Sequence, residues 1–592
     1  MHKRSLRNGA PALLKTRRAS YPAYKRLWKF SRRDVFRVGD SFENIGIPGA
    51  TGSAKTSTTL SHVVQAYAEA NYGGLLMGPK ANFARTMESV LSKAGALNRS
   101  IRLCPGHYGI NLIRATADAH GSPNGLEENV IDLIFSGGEV VTRTMGIGSN
   151  DPFWIIAGRS VGKKLVVLDQ ADNGSVDVRR LMAMCRSIPR SPQDLVDDDD
   201  RKKGAVLETI ERVREKYPVG TNYAVDDAIN YITIEAPNVG DKALGSIIAT
   251  LTAYLEPWCD DIVYNAVCKD SGKWKLSDLR EWGLIVICDY PLREGYDNVG
   301  KVIGAALKRA VQKQLERELG GSRKGGQSDL RPVMLVLDDA GCYANSDDVN
   351  FLQTGRESRA SVVWAWHSVS VLRDQFGGTD AALNKVKSLL SFFMTIIAHQ
   401  LDDEETGKFL SGRRGQHLVR REGGGESSKE GGKDKHVTTN SNFQFVPEEV
   451  IPYWAFSTLA RGGEENGGKA ETIVLRSKRF KSNGGKRYMK VRTFQEPIYH
   501  GEDDPPRSFM ERLHRWWHRW NDFKGRSVFI WFDVTPRFRI WNGHVPFYKV
   551  MGWLFLNPEK GKRLLERWAY FWLDEREVSV WEEARDDSRR KG

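Results

Sequence analysis

Seven short apolar runs do most to limit how this chain can fold: Asn44–Pro48, Gly74–Gly78, Leu284–Asp289, Val333–Asp338, Ser361–Trp366, Phe392–His399 and Thr472–Leu475. They are mostly apolar at successive positions instead of alternate ones, so both faces of each strand need cover. Longer stretches with helical spacing separate them, and strands alternating with helices build a mainly parallel α/β sheet. One such stretch, Lys301–Leu319, reads as an amphipathic helix with a basic outer face, closed by Gly320-Gly321. Between roughly residues 150 and 280 the strand signal stops. Aromatic and aliphatic residues recur there at helical spacing, which predicts an all-α insertion with an acidic loop at Asp197–Asp200. Two Gly-rich stretches, "GGSRKGGQSD" and "EGGGESSKEGGKDK" at 422–435, read as loops, and no internal repeat is present.

The sharpest local signal is "GIPGATGSAKTSTT" at 46–59. Set against the pattern GxxxxGK[ST], it supplies Gly49, then Ala50, Thr51, Gly52 and Ser53, then Ala54, Lys55 and Thr56, with Ser57 following. Such a loop joins a strand to a helix so that its backbone N–H groups converge on phosphate oxygens. The lysine neutralises the outer phosphates, the threonine hydroxyl ligates Mg2+, and the helix N-terminus faces the anion. The strand before it and the helical pattern "STTLSHVVQAYAEA" after it are the context this chemistry needs. Ala54 stands where the pattern has glycine, which costs little unless the backbone there takes a positive φ.

A second element supports the first. "PVMLVLDDAG" is an apolar strand ending in Asp338-Asp339. The first acid suits the Mg2+ shell, and the second suits orientation or deprotonation of an attacking water. Further on, His367 ends the Ser361–Trp366 strand, at the side of a parallel sheet where ligands bind. Arg356 and Arg359 precede the same strand. A cofactor pair of ATP and Mg2+ follows from these residues, with Thr56 and Asp338 as the metal side chains.

The order of these motifs resembles the type IV secretion coupling proteins, the conjugative DNA transfer ATPases of the TraG/TraD-like group in the HerA/FtsK class. The blocks that carry the resemblance run from about Ser41 to Leu459: "GATGSAKTST", "GGLLMGPKANF", "DPFW", "LVLDDAG", "TGRESRASVVWAWHSVSVLRDQFG", "DDEETGKFLSGRRGQ" and "FVPEEVIPYWAFSTLARG". The resemblance implies a RecA-like P-loop motor with an all-α insertion, assembled as a homo-hexamer around DNA. It further implies delivery of single-stranded DNA with relaxase cargo to the components of a type IV secretion channel. Lys55, Asp338, Asp339, His367 and Arg356 would form the catalytic set, with Arg356 as an arginine finger and Arg359 as the second choice. Ala54, Asp339 and His367 stand where the family has Gly, Glu and Gln, and a low rate of hydrolysis is the expected consequence. Two alternatives stay open: a HerA/FtsK-type motor that packages or segregates DNA, and a weakly hydrolysing ATP-binding recruitment scaffold.

Composition narrows the rest. A length of 592 residues with 40% hydrophobic and 27% charged content excludes disordered, collagen-like and disulfide-scaffold chains. The net charge is +14, and twelve Lys/Arg against Asp34 and Asp40 place +10 of it within residues 1–40. That stretch suits phosphate backbones or anionic lipid, or is a solvated tail. Six cysteines without a CxxC pair suit a reducing compartment. No run is long and apolar enough to span a bilayer, so the expected place is cytoplasmic, with peripheral contact at the inner face of the membrane. Nine of the 17 Trp fall after residue 500, in a module with expected helices near Ser508–Asp522 and Gly561–Asp574. Its Arg/Trp interleaving suits base stacking, a membrane interface or simply a small core. The expected divisions are 1–40 basic, 41–149 and 281–500 motor, 150–280 insertion, and 501–592 the Trp-rich module.

Overall fold

All seven apolar runs form strands of one nine-stranded sheet in the computed structural model. It describes residues 21–118, 126–144, 152–195, 204–292, 297–320, 330–429, 436–463 and 466–495, with two short strands at Phe538–Ile540 and Gly543–Val545. In chain order the strands are β1 (Ile45–Pro48), β2 (Gly73–Met77), β3 (Ser100–Leu103), β4 (Ile285–Cys288), β5 (Val333–Leu337), β6 (Ala360–Trp366), β7 (Thr395–Ala398), β8 (Lys469–Arg476) and β9 (Tyr488–Phe494). Their spatial order is β9-β8-β7-β1-β6-β5-β2-β4-β3. The pairs from β7 across to β3 are parallel, and β8 joins β7 and β9 antiparallel. Every residue of β1, β2, β4, β5, β6 and β7 is buried, as a sheet covered on both faces requires. One strand, β6, separates the P-loop strand β1 from the acidic strand β5, which is the RecA-like arrangement expected from the sequence.

The two strands that the apolar runs did not mark lie at the sheet's edges. Ser100–Leu103 alternates half-buried and buried positions, and Tyr488–Phe494 alternates Met489 and Val491 inward with Lys490 and Arg492 outward. Their signal has a period of two over few residues, so it is weak beside the continuous runs.

Between β3 and β4 the long elements are helices. They open at Leu112, upstream of the expected boundary at 150. With α1 as Ser61–Glu69, which follows the P-loop, the long ones are α2 (Leu126–Thr144), α3 (Pro152–Asn173) and α4 (Asp241–Cys259). Trp258 of α4 is fully buried and donates its indole N–H to Ile134 O at 3.1 Å, while Phe135 and Tyr254 stack at 4.2 Å. These contacts bind α2 to α4 through aromatic area and one satisfied polar atom.

The helix expected at Lys301–Leu319 is α5 (Asp297–Gly320), but its middle is not a basic outer face. Lys308, Arg309 and Gln312 are 1%, 6% and 3% exposed. Lys308 pairs with Asp348, to which Gln312 Nε2 also donates at 2.8 Å. Arg309 and Lys313 reach Asp132 on α2 at 2.6 and 3.0 Å. Buried basic residues need such partners, and these lie far off in sequence, which is why spacing alone placed them outside.

The Gly-rich stretch expected as a loop at 422–435 is largely strand. Gln416–Lys429 and His436–Glu449 pair antiparallel from Gln416↔Glu449 to Lys429↔His436. The β-branched and aromatic residues of "HVTTNSNFQFV" supply strand propensity, and the glycines at 423–425 are carried within the same ladder, opposite Asn442, Ser441 and Asn440.

The chain divides into two units, one of Met1–Lys25, Arg37–Lys478 and Arg487–Glu496 and one of Arg26–Phe36, Arg479–Lys486 and Pro497–Gly592. The described part of the second unit has its own small core: Trp28 stacks on Phe36 at 4.0 Å, and Phe30 meets Phe480 edge-on at 5.7 Å. Asp34 there accepts from the backbone N–H groups of Lys481 and Ser482 at 2.6 and 3.0 Å. Residues 21–40, expected within a basic N-terminal segment that suits an anionic partner or is a solvated tail, are folded from Tyr21 on. Residues 1–20, the acidic run at 197–200, the loop at 321–329 and the helices expected at 508–522 and 561–574 lie outside the described residues. Among the described residues, no helix is long and apolar enough to cross a membrane.

Candidate nucleotide site

The loop from Gly49 to Thr56 leaves the C-terminal end of β1 and is stitched to both neighbouring strands. Gly49 N donates to Trp366 O at 3.1 Å, and Ala50 N donates to Gln400 O at 2.8 Å. A side chain at Gly49 would lie 2.6 Å from Ser53 Oγ and 2.7 Å from His399 Cβ, so only glycine fits this close approach. Thr51 and Gly52 are exposed at the tip, with Gly52 at φ +76°. Thr56–Leu60 forms one π turn before α1 begins, with Thr58 N and its hydroxyl both bonded to Ala54 O.

Ala54 has φ +66°. The glycine of the usual pattern would take this conformation freely, whereas an L-residue is strained in it. Its methyl group faces Gly462: a Cβ built there would lie 2.6 Å from Ala54 Cβ. The segment crossing this side of the loop therefore has a glycine where the loop has gained a methyl group.

Lys55 is 5% exposed, and its ammonium is fully engaged. It donates to Gly49 O at 2.5 Å and Ala50 O at 3.1 Å, and lies 3.4 Å from His367 Nδ1. Burial pushes the ammonium down to about 8, against the opposing pull of Asp339 and Asp338. His367 Nε2 lies 3.0 Å from Asp339 Oδ1 on the other side of the ring. His367 thus connects the P-loop lysine to the second acid across the strand between them.

Thr56 Oγ1 donates to Asp338 Oδ2 at 2.9 Å. Asp338 is fully buried at the end of β5, and burial raises its carboxyl above the usual range, with the Asp339 charge acting in the same direction. Asp339 takes φ +48°, which turns its side chain back toward the site. Burial acts to raise it too, but the His367 hydrogen bond and the Lys80 and Lys55 charges carry it down to about 2. Lys80 approaches both acids, at 3.5 Å from Asp338 and 3.6 Å from Asp339.

Lys55, Thr56, Asp338, Asp339 and His367 therefore converge, as their motifs predict. Arg356 does not join them. It is exposed before the N-terminal end of β6, and the strand's seven residues, at about 3.3 Å each, put it on the order of 20 Å from His367. Arg359 is 6% exposed, donates to Tyr21 O at 2.5 Å and lies over the Phe42 ring at 4.9 Å, so it anchors the start of the strand and is not free for a neighbour.

Two site residues escaped the sequence reading. Lys80 follows β2, whose neighbour is the acidic strand. His399 follows β7 and is fully buried: Nδ1 donates to Ser53 O at 2.8 Å, and Nε2 accepts from Thr59 Oγ1 at 2.8 Å. It joins the two limbs of the P-loop, and burial pushes it down to about 4, so it is neutral. The position after the last residue of a parallel strand, which singled out His367, marks His399, whereas Lys80 stands three residues past the end of β2.

No protein-family model matches the sequence, and no curated protein does. Among solved structures, the chain is similar to the bacterial conjugative coupling protein TrwBdeltaN70 in its unbound form, with 16% identity and a TM-score of 0.48, over 82% of this chain and 92% of that one. It is similar to plasmid coupling protein TrwB in complex with ADP and Mg2+, at 16% identity and a TM-score of 0.49, over 81% and 91%. It is also similar to VirB4 of Thermoanaerobacter pseudethanolicus, at 12% identity and a TM-score of 0.38, over 67% and 93%.

Proposed function

We propose that this chain is a Mg2+-dependent ATPase of the type IV secretion coupling class. On this reading it works as a homo-hexamer that passes single-stranded DNA with its relaxase into a secretion channel from the cytoplasmic side of the membrane. The observation that carries the ATPase is the meeting of Lys55 and Thr56 from the β1 loop with Asp338 and Asp339 from the β5 end. The order of the sequence blocks supports the coupling role.

The residues fit a divalent ion. Asp338 Oδ1 is buried and has no hydrogen-bond partner among the described residues, while Oδ2 is already aligned with the Thr56 hydroxyl. A carboxylate and a hydroxyl are hard oxygen donors of the kind Mg2+ takes alongside phosphate oxygens. Thr56 and Asp338 would hold the ion, which when bound neutralises phosphate charge. Lys55 exchanges two loop carbonyls for phosphate oxygens and so holds the nucleotide. Asp339, low in basicity, serves by orienting a water more than by taking its proton. His367 keeps that carboxylate aimed through Nε2. Arg356, exposed and remote from its own chain's site, suits an arginine finger reaching a neighbouring subunit.

Hydrolysis measured with and without single-stranded and double-stranded DNA, for wild type and Lys55→Ala, tests the reading. Turnover raised by single strands and lost in the variant is expected; equal turnover in both proteins refutes the enzyme. A weakly hydrolysing scaffold is the second reading, favoured by the strained Ala54 and by the engagement of Asp339 with His367 and Lys80. Nucleotide binding with negligible turnover, rising in an Ala54→Gly, Asp339→Glu double variant, would support it.

A further inference from the structure

Lys80 has a place in this site that neither the motifs nor the proposed chemistry uses. Its backbone is fixed. Leu292 N donates to the preceding Pro79 O at 3.0 Å, and Phe83 N donates to Lys80 O at 3.0 Å. Its side chain is not fixed in the same way, being 47% exposed and, among the described residues, making two long approaches of 3.5 and 3.6 Å to Asp338 and Asp339. Asp338 is fully buried beside a second acid, and two adjacent carboxylates in a low-dielectric pocket need a cation. Lys55 does not fill that need directly, since its three N–H groups are directed to Gly49 O, Ala50 O and His367. Among the described residues, Lys80 is the ammonium that reaches both acids.

Resting on the Mg2+ reading above, we propose that Lys80 is a built-in competitor of the divalent cation: it holds the Asp338–Asp339 pair until the ion arrives, and the ion must displace it. A divalent ion ligated by Asp338 and Thr56 would sit within a few ångströms of the Lys80 ammonium, and like charges at that separation repel strongly. The exposed stem gives Lys80 a route outward by rotamer change alone, with the backbone left where Phe83 and Leu292 hold it. Once displaced, its charge lies at the mouth of the site, where it meets the outer phosphates of an entering nucleotide. The exchange ties metal entry to phosphate entry: the ion alone must evict a cation, whereas ion and polyphosphate together give that cation a new partner.

The test is Mn2+ binding to the full-length, nucleotide-free protein, read from the loss of the free-ion paramagnetic resonance signal. Asp338→Asn defines the component that belongs to this site. Lys80→Gln should tighten that component by about tenfold, since the competing charge is gone. Lys80→Arg, which keeps the charge, should bind Mn2+ as the wild type does. Unchanged or weaker binding in Lys80→Gln overturns the proposal, because Lys80 would then only support the carboxylates. Equal tightening in Lys80→Gln and Lys80→Arg overturns it as well, because shape and not charge would be the cause. Mn2+ binding that is the same in Asp338→Asn and wild type overturns the metal site itself, and the proposal with it.

Discussion

The methyl group of Ala54 offers a quantitative test of how the P-loop accommodates its departure from glycine. At φ +66° an alanine is about 1–2 kcal/mol less stable than in the right-handed region. Ala54→Gly removes that strain, and the greater freedom of glycine in the unfolded chain offsets about 0.4–1 kcal/mol of the gain. A net stabilisation of about 0.5–1 kcal/mol is expected. Gly462→Ala should act the other way. Its new Cβ would lie 2.6 Å from Ala54 Cβ, against an ordinary carbon separation of about 3.5–4 Å, and overpacking of this kind costs about 1–3 kcal/mol. Gly462 is not at a positive φ, so the backbone there accepts alanine. In the Ala54→Gly background the methyl–methyl clash is gone. The remaining close atom is Gln495 Oε1, also at 2.6 Å, which ends a flexible side chain and can turn away. The double variant should therefore recover at least about 1 kcal/mol relative to the sum of the single changes. Urea unfolding of the four proteins, followed by circular dichroism, measures this coupling. Free energies that add within about 0.5 kcal/mol would refute the contact between Ala54 and Gly462, and an Ala54→Gly variant no more stable than the wild type would refute the strain assigned to Ala54.

Three further outcomes follow from the site and its surroundings. Because burial holds Lys55 near 8 and a bound polyphosphate would raise it, nucleotide binding at pH 8.5 should take up protons, seen as buffer-dependent heats in titration calorimetry and absent in Lys55→Met. His399 lies at about 4 when folded against 6.5 when free, so the unfolded chain binds the extra proton between those values. Stability should fall as pH drops from 6.5 toward 4, by no more than about 3 kcal/mol, and His399→Asn, which retains a donor for Ser53 O, should lack that slope in pH-dependent urea midpoints. Lys308→Met leaves Asp348 buried without its counter-charge and should cost about 3 kcal/mol in the same assay, whereas Lys301→Met, on a half-buried part of the same helix, should cost less than about 1.

Continuous apolar runs made the central strands visible, because a strand covered on both faces has no polar positions to confuse with anything else. Edge strands such as Ser100–Leu103 carry half that signal and were not apparent. Lys55, Thr56, Asp338 and Asp339 were legible since their chemistry needs fixed neighbours along the chain. His367 was legible from its position at a strand end. The same rule reaches His399, whereas Lys80, three residues past its strand, enters the site only through the strand order, which no local pattern contains. The charge on α5 was misread for a related reason: helical spacing tells which residues share a face, not whether Asp132 and Asp348 await them there. The Gly-rich hairpin shows the opposite error, where composition suggested a loop and cross-strand pairing overrode it. Nor could the sequence state that Ala54 would take a positive φ.

The pairing of Lys308 with Asp348 has a mechanical consequence. Asp348 lies nine positions beyond Asp339, in the same connection that leaves the acidic strand, and its neighbours Asp347 and Ser346 bond to Ser136 and Glu139 on α2. Moving α5 away from this connection would leave Lys308 and Asp348 without counter-charges in a dry interior, and moving α2 away would break two hydroxyl–carboxylate hydrogen bonds, both more costly than sliding one apolar surface over another. The joint therefore behaves as a rivet and not as a bearing. Any rearrangement of the connection that begins at Asp339 would have to break charged or hydrogen-bonded contacts to both helices.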